Sequence, residues 1–115
     1  MLKSKLSNYD RFDHKDGWIV WYEKDSEEIV CTLSITKHDG QTWIGAVYVS
    51  PIYRRKGICR ALLDFATFHG GDHLAVRKTN IQALTAYQNY GFKTYDEDDT
   101  NYYMMYEYCK KTIVN

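Results

Sequence analysis

A short basic loop between two apolar segments is the part of this sequence whose residue types most clearly indicate chemistry. The chain runs from Val49 through Ser50-Pro51 and Arg54-Arg55-Lys56-Gly57 into apolar residues at helical spacing from Ile58 onward. This order predicts a strand, a tight turn and a helix N-terminus. The first amides of a helix lack backbone partners and lie at the positive end of the helix dipole. We therefore expect this loop to bind a phosphate or pyrophosphate group.

The elements before this loop are predicted to form a meander of three antiparallel strands, over residues 18–23, 29–36 and 43–49. Ile29, Cys31, Leu33 and Ile35 alternate with Val30, Thr32, Ser34 and Thr36. This alternation predicts a strand with one buried face. Asp39-Gly40 is a strong signal for a hairpin turn. The first 16 residues are compatible with either a short strand or an irregular arm.

The second half of the sequence predicts a helix, a strand, a second helix and two strands. The first helix covers residues 58–69 and ends at Gly70-Gly71. Thr79 and Gln82 have the spacing of a capping box, which predicts a helix from there to Tyr90. The predicted strands cover residues 73–77, 92–96 and 101–108, the last two joined by the acidic turn 96–99. The whole chain is therefore expected to be of the mixed α+β class.

Length, composition and charge predict one soluble domain, residues 1–115. The chain is 44% hydrophobic and 26% charged, and 15 basic residues balance 15 acidic ones. Neutral charge gives no general reason to expect nucleic acid as a partner. We also expect no membrane association, because the sequence has neither an apolar run of spanning length nor the apolar region of a signal peptide.

The cysteines and histidines predict neither disulfides nor a metal site. Cys31, Cys59 and Cys109 are odd in number and widely spaced, which favours a reduced, cytoplasmic protein. His69 and His73 have a zinc-like spacing, but Gly70-Gly71 interrupts the helix that would align them. We expect both histidines to be exposed to solvent.

Two motifs resemble those of the GCN5-related N-acetyltransferase (GNAT) superfamily. Arg54-x-x-Gly57-x-Cys59 resembles the pyrophosphate loop R/Q-x-x-G-x-G/A, with Cys59 in a position usually held by glycine or alanine. Residues 76–92 resemble the later motif V-R-x-x-N-x-x-A-x-x-x-Y-x-x-x-G-F. The resemblance implies the GNAT fold: a central, mostly antiparallel twisted sheet with helices packed on it. It also implies transfer of an acetyl group from acetyl-CoA directly to an amine.

The resemblance also implies which residues bind acetyl-CoA and which act on it. The backbone of Val47, Tyr48 and Val49 would bind the pantetheine arm, and the loop amides would bind the pyrophosphate, with Gly57 allowing close approach. The implied cofactor-binding residues are Val47, Tyr48, Val49, Arg54, Arg55, Lys56, Gly57, Ile58, Cys59, Arg60, Asn80 and Tyr87. Tyr87 would be the catalytic acid that protonates the departing thiolate. The alternative is a structural core tyrosine, which is common in a chain with 11 tyrosines.

The sequence departs from the family pattern at the general base. Many members carry glutamate in an L-E-V-R context, whereas this chain has Leu74-Ala75-Val76-Arg77. An amine attacks only when neutral, so the base could be His73, Glu23, Glu28, or Tyr48 through water. The acceptor amine could instead be partly neutral already. A further alternative is a binding module with a GNAT fold that has lost catalysis.

The length of the N-terminal region gives an expectation about the kind of acceptor that the protein binds. The family usually has two helices between its first two strands, but only 17 residues precede Trp18. We therefore expect a reduced N-terminal helical region and an open acceptor face. An open face favours a protein lysine or N-terminus over an enclosed small amine, and its exposed apolar surface favours a homodimer.

Overall fold

The computed structural model describes residues 4–107, and the chain divides into two compact units. The first unit comprises Met1–Gly71 and the second Asp72–Asn115. Each unit contains antiparallel strands and one α-helix. The mixed α+β class predicted from the sequence is therefore confirmed.

The first unit is a four-stranded antiparallel array followed by a helix. Its strands pair in chain order. Its elements are β1 (Asp10–Asp13), β2 (Trp18–Tyr22), β3 (Ile29–His38), β4 (Gln41–Val49) and α1 (Ile58–Phe68), with short 3-10 helices at Lys5–Asn8, Lys15–Gly17 and Pro51–Tyr53. The ambiguous N-terminal segment thus contains a strand, β1. Only the 3-10 helix Lys15–Gly17 lies between β1 and β2, so the expected reduction of the N-terminal helical region is confirmed.

The amphipathic pattern of α1 forms the core of the first unit. Ile58, Leu62 and Ala66 recur at helical spacing and are all buried. On the sheet side, the ring of Trp21 meets Phe65 edge-on at 5.4 Å, and Leu33 is fully buried. This packing fixes the position of the N-terminus of α1 at the end of β4.

The alternation predicted for β3 is wrong at its start. Ile29 was expected on the buried face, but it is 41% exposed, whereas Val30 is completely buried. The register between β2 and β3 shifts after Trp21, which pairs with Cys31, so that Tyr22 pairs with Ile29. This β-bulge places an extra residue, Val30, in β3 and reverses the orientation of the residues before it.

The second unit is a three-stranded antiparallel array with one helix. Its elements are β5 (His73–Arg77), α2 (Ile81–Tyr90), β6 (Lys93–Glu97) and β7 (Asn101–Met105), and β7 pairs with both β5 and β6. The predicted last strand was longer: β7 ends at Met105, and Tyr108 lies outside the described residues. Met104 and Leu74 form a cross-strand pair in the core of the second unit, and both are buried.

The capping box predicted at Thr79 and Gln82 is wrong. The N-cap of α2 is Asn80, whose side-chain oxygen accepts a hydrogen bond from the Ala83 amide at 3.2 Å. Asparagine is at least as good an N-cap as threonine, and the helix accordingly begins at Ile81. The C-terminal end was predicted correctly, since Gly91 follows Tyr90 with φ of +126°.

The acidic turn between β6 and β7 is organised by a single carboxylate. Asp98 accepts hydrogen bonds from the Tyr103 hydroxyl at 2.5 Å and from the amides of Asn101 and Thr100 at 2.7 and 2.9 Å. These bonds, the Tyr103 bond above all, lower the pKa of Asp98 to about 2. The turn is therefore held by the ionised form of Asp98.

Replacing Asp98 with alanine should destabilise the protein in a pH-dependent manner. The pKa of Asp98 is lower in the folded than in the unfolded chain, so its stabilisation is complete above the ordinary aspartate pKa and is lost as pH falls toward about 2. Urea unfolding should show a deficit for Asp98→Ala near neutral pH that shrinks between about pH 4 and about pH 2. The matched control is Asp99→Ala, next in the same exposed turn. Equal deficits in the two variants at every pH would contradict this role.

Candidate acetyl-CoA site

The strand that leads to the basic loop is distorted just before the residues predicted to bind the pantetheine arm. Thr32 pairs with Tyr48 and Ser34 with Gly45, so Leu33 lies opposite two residues of β4. Ala46 has φ of +50°, which is unusual for a residue other than glycine. The Thr32 hydroxyl donates to the Ala46 carbonyl at 2.6 Å and holds the bulge in place. A bulge of this kind bends its strand and re-aims the residues that follow, here Val47 to Val49.

The loop between β4 and α1 is tied to the end of β4. The side chain of Arg54 donates from Nε to the Val49 carbonyl at 2.8 Å, and the Tyr53 amide donates to the Ser50 carbonyl at 2.9 Å. Two later residues, Arg55 and Gly57, have φ of +63° and +80°. Alternation of left-handed residues with residues of negative φ turns successive amides toward a common point, an arrangement that binds anions.

The first turn of α1 has amides without helical partners. The N-cap of α1 is Gly57, and no side chain caps the helix within the described residues. The first backbone hydrogen bond into the helix runs from the Ala61 amide to the Gly57 carbonyl at 3.1 Å. The amides of Ile58 and Cys59 precede it and therefore have no intrahelical acceptor. By contrast α2 is capped by Asn80. Of the two α-helices in residues 4–107, α1 is therefore the one whose first amides lack a side-chain cap.

Positive charge surrounds this helix end. Arg54, Arg55 and Lys56 are all exposed, and within residues 4–107 none of them forms an ion pair with a carboxylate. Arg60 is one turn further along and is also exposed. Cations such as Arg54, Arg55 and Lys56 raise the local concentration of an anionic ligand and strengthen its binding. Backbone geometry, the helix dipole and side-chain charge all favour the phosphate site that the sequence predicts here.

Asn80 and Tyr87 both lie in the second unit. Asn80 is the N-cap of α2, and Tyr87 is a buried residue of that helix. Asn80 is exposed, and its side-chain oxygen caps the helix. Tyr87 is 8% exposed, and among the described tyrosines it alone is in the buried class. Its ring meets Phe92 at 6.2 Å. Burial in this degree fits an acid that works away from water, and it fits a core tyrosine equally.

The residues considered as general base have different surroundings. Glu23 accepts a hydrogen bond from the Tyr53 hydroxyl at 3.0 Å, whereas Glu28 and Tyr48 are exposed. Burial and this bond to Glu23 raise the pKa of Tyr53 to about 12. Ala75, which replaces the usual glutamate, is exposed on β5. None of these arrangements singles out a base.

The histidine prediction needs a correction at His73. His69 is exposed as expected, but His73 is only 5% exposed, and its Nδ1 lies 2.7 Å from Asp72 Oδ1. Its ring also meets Tyr95 edge-on at 5.6 Å. Because the imidazole has a polar partner in Asp72, its burial costs less free energy. Within residues 4–107 no group of His, Cys, Asp and Glu side chains has the arrangement of a metal site.

The described cysteines are poor nucleophiles. Burial raises the pKa of Cys31 to about 12 and also raises the pKa of Cys59. A thiol attacks as the thiolate, which neither residue forms readily near neutral pH. Cys109 lies outside the described residues. These pKa shifts favour direct transfer over a covalent intermediate on Cys31 or Cys59.

Comparison with known proteins decides the family. The model of the Acetyltransferase (GNAT) family matches residues 2–92. The chain is a member of the GNAT family. GNAT enzymes use acetyl-CoA as the acetyl donor, and the geometry of the β4–α1 loop fits its pyrophosphate. No curated protein sequence matches the chain significantly.

Solved structures with the same fold include several acetyltransferases. PaiA N-acetyltransferase from Thermoplasma acidophilum, in complex with coenzyme A, is 18% identical with a TM-score of 0.64, over 79% of this chain and 60% of that one. PH1933 from Pyrococcus horikoshii OT3 is 27% identical with a TM-score of 0.68, over 81% of this chain and 66% of that one. NAA60 from Arabidopsis thaliana, in complex with a bisubstrate analogue, is 16% identical with a TM-score of 0.64, over 77% of this chain and 73% of that one. The chain thus spans less than two thirds of the first two proteins. The predicted GNAT fold is confirmed.

Within this GNAT protein, sequence reasoning missed two residues near the loop. The alternation in the sequence places Thr32 only on the face of β3 opposite Cys31, yet its hydroxyl holds the bulge at Ala46. No sequence pattern gives Lys5 a role, yet its Cε would lie 3.0 Å from a Cβ placed on Gly57. Neither residue belongs to a recognisable motif, and both contacts join segments that are distant in sequence.

Neither helix of the described region is long and apolar enough to cross a lipid bilayer.

Proposed function

We propose that this protein is an acetyl-CoA-dependent N-acetyltransferase that acetylates an amine directly. The observation that carries the proposal is the uncapped N-terminus of α1 behind a loop with two left-handed residues. The same loop carries Arg54, Arg55 and Lys56, which form no ion pair with a carboxylate within residues 4–107. Family membership supports the same assignment. The loop from Arg54 to Arg60 binds the pyrophosphate of the donor, and the backbone of Val47 to Val49 binds its pantetheine arm.

In the proposed reaction, Tyr87 donates its phenolic proton to the cofactor sulfur as the thioester bond breaks. The acceptor amine attacks the acetyl carbonyl, loses a proton to a base or to water, and becomes the amide. The phenol of Tyr87 is buried. A positioned acid typically raises the rate of such a step by about 10²–10⁴-fold. Asn80 is proposed as a further contact to the pantetheine arm, in addition to capping α2.

We propose a protein amine as the acceptor. The connection between β1 and β2 is only a short 3-10 helix, Lys15–Gly17, so within the described residues no helical hairpin encloses the acceptor side. Several large apolar side chains on the first unit are exposed, among them Phe12 at 59% and Trp18 at 46%. An open apolar surface fits a macromolecular partner better than a small polyamine. A second copy of the chain is the alternative occupant of this surface.

Acetyl-CoA consumption in the presence of different amines tests the proposal. The full chain should release free CoA when given peptides with an exposed lysine or α-amino group, and release should require the amine. Turnover with polyamines or aminoglycosides alone would refute the protein-acceptor assignment. Acetyl-CoA binding without turnover of any amine would instead favour a binding module, an alternative supported by Ala75 in place of the usual glutamate.

A further inference from the structure

We infer that Lys5, from the N-terminal segment, supplies an additional cationic contact to a phosphate group of the cofactor. This inference rests on the proposed function. An ideal Cβ at Gly57 would lie 3.0 Å from Cε, 3.5 Å from Cδ and 3.7 Å from Nζ of Lys5. The lysine side chain therefore crosses directly over the glycine of the phosphate loop, although 52 positions separate the two residues in the sequence.

The backbone that carries Lys5 is anchored on both sides. Leu6, the next residue, is 4% exposed, and the 3-10 helix Lys5–Asn8 packs against α1. Ser4 caps this turn by accepting a hydrogen bond from the Leu6 amide at 3.1 Å. At the other end, the ring of Tyr9 meets Tyr53 edge-on at 5.9 Å, just before the loop. The position of Lys5 beside the loop is thus a consequence of packing.

Lys5 adds a positive charge beside the loop. Within residues 4–107, its ammonium group forms no ion pair with a carboxylate. It joins Arg54, Arg55 and Lys56, which also have no carboxylate partner in that region. A dianionic pyrophosphate bound at the α1 N-terminus would pair with the Lys5 ammonium.

Binding measurements with charge-selective variants test this inference. Lys5→Met keeps an unbranched apolar stem but removes the charge, whereas Lys5→Arg keeps the charge. A charge-assisted contact predicts that Lys5→Met binds acetyl-CoA about 10- to 100-fold more weakly by calorimetry. Lys5→Arg should retain most of the affinity. The affinity of Lys5→Met should also depend less steeply on salt concentration.

The control variant is Lys37→Met, an exposed lysine of β3 that pairs with Thr42 near the hairpin, away from the loop. It should bind like the wild type. Protection of Lys5 from an amine-modifying reagent by acetyl-CoA, read by mass spectrometry, gives a second readout that does not depend on activity. Unchanged affinity of Lys5→Met, or equal modification of Lys5 with and without acetyl-CoA, would overturn the inference.

Dephospho-CoA identifies the phosphate concerned and separates this inference from the proposed function. If Lys5→Met weakens both ligands equally, Lys5 contacts the pyrophosphate; if it weakens only acetyl-CoA, Lys5 contacts the 3′-phosphate. Either result supports a phosphate contact. Failure of the wild type to bind either ligand would refute the proposed function and this inference together. Normal binding by both wild type and Lys5→Met refutes only the role of Lys5.

Discussion

Replacing Gly57 with valine should reduce the affinity for acetyl-CoA by at least about 100-fold, which corresponds to the loss of about two charge-assisted hydrogen bonds. Gly57 has φ of +80°, in the left-handed region that a β-branched residue avoids. A side chain there would also meet Lys5 and fill the space in which the phosphate approaches the backbone. Calorimetric titration of the purified variant with acetyl-CoA measures the loss.

The matched control for Gly57→Val is Gly40→Val. Gly40 has φ of +77°, almost the same backbone conformation, and no atom lies within 4 Å of a Cβ built there. Both variants should lose about 1–2 kcal/mol of stability to left-handed strain, but only Gly57→Val should lose the ligand. Equal binding by the two variants would show that the β4–α1 loop is not the phosphate site.

The sequence was sufficient to locate this loop because the relevant signals are local. Glycine, a row of cations and the onset of helical periodicity follow one another within a few residues, and together they predict an anion-binding helix N-terminus. The hairpin at Asp39-Gly40 and the helix end at Gly70-Gly71 were predictable for the same reason. Each depends on the conformational freedom of glycine at a single position.

Features that depend on pairing between distant segments could not be predicted. The bulge in β4 requires Ala46 at positive φ, and alanine gives no signal for that conformation. The bulge at Val30 likewise depends on its register with β2. Lys5 reaches Gly57 only because Leu6 and Tyr9 pack against α1 and the loop. Burial of His73 follows from its position on β5 and its contact with Asp72, and spacing alone does not reveal it.

Replacing Tyr87 with phenylalanine should lower kcat by about 10²–10⁴-fold while acetyl-CoA affinity changes little. Phenylalanine keeps the buried ring and its contact with Phe92, so the substitution removes the phenolic hydroxyl that would donate the proton. Free-CoA release at saturating acetyl-CoA and amine gives kcat, and calorimetry gives the affinity. A variant that retains near wild-type kcat would show that Tyr87 is a core residue and not the acid.

A second tyrosine of the same helix distinguishes a lost proton donor from a disturbed core. Tyr90→Phe is the matched control, since Tyr90 is on the same helix, packs against Phe92 at 5.9 Å and has no proposed catalytic role. If Tyr90→Phe lowers kcat as much as Tyr87→Phe, the loss reflects packing of α2 and the assignment of Tyr87 as acid fails.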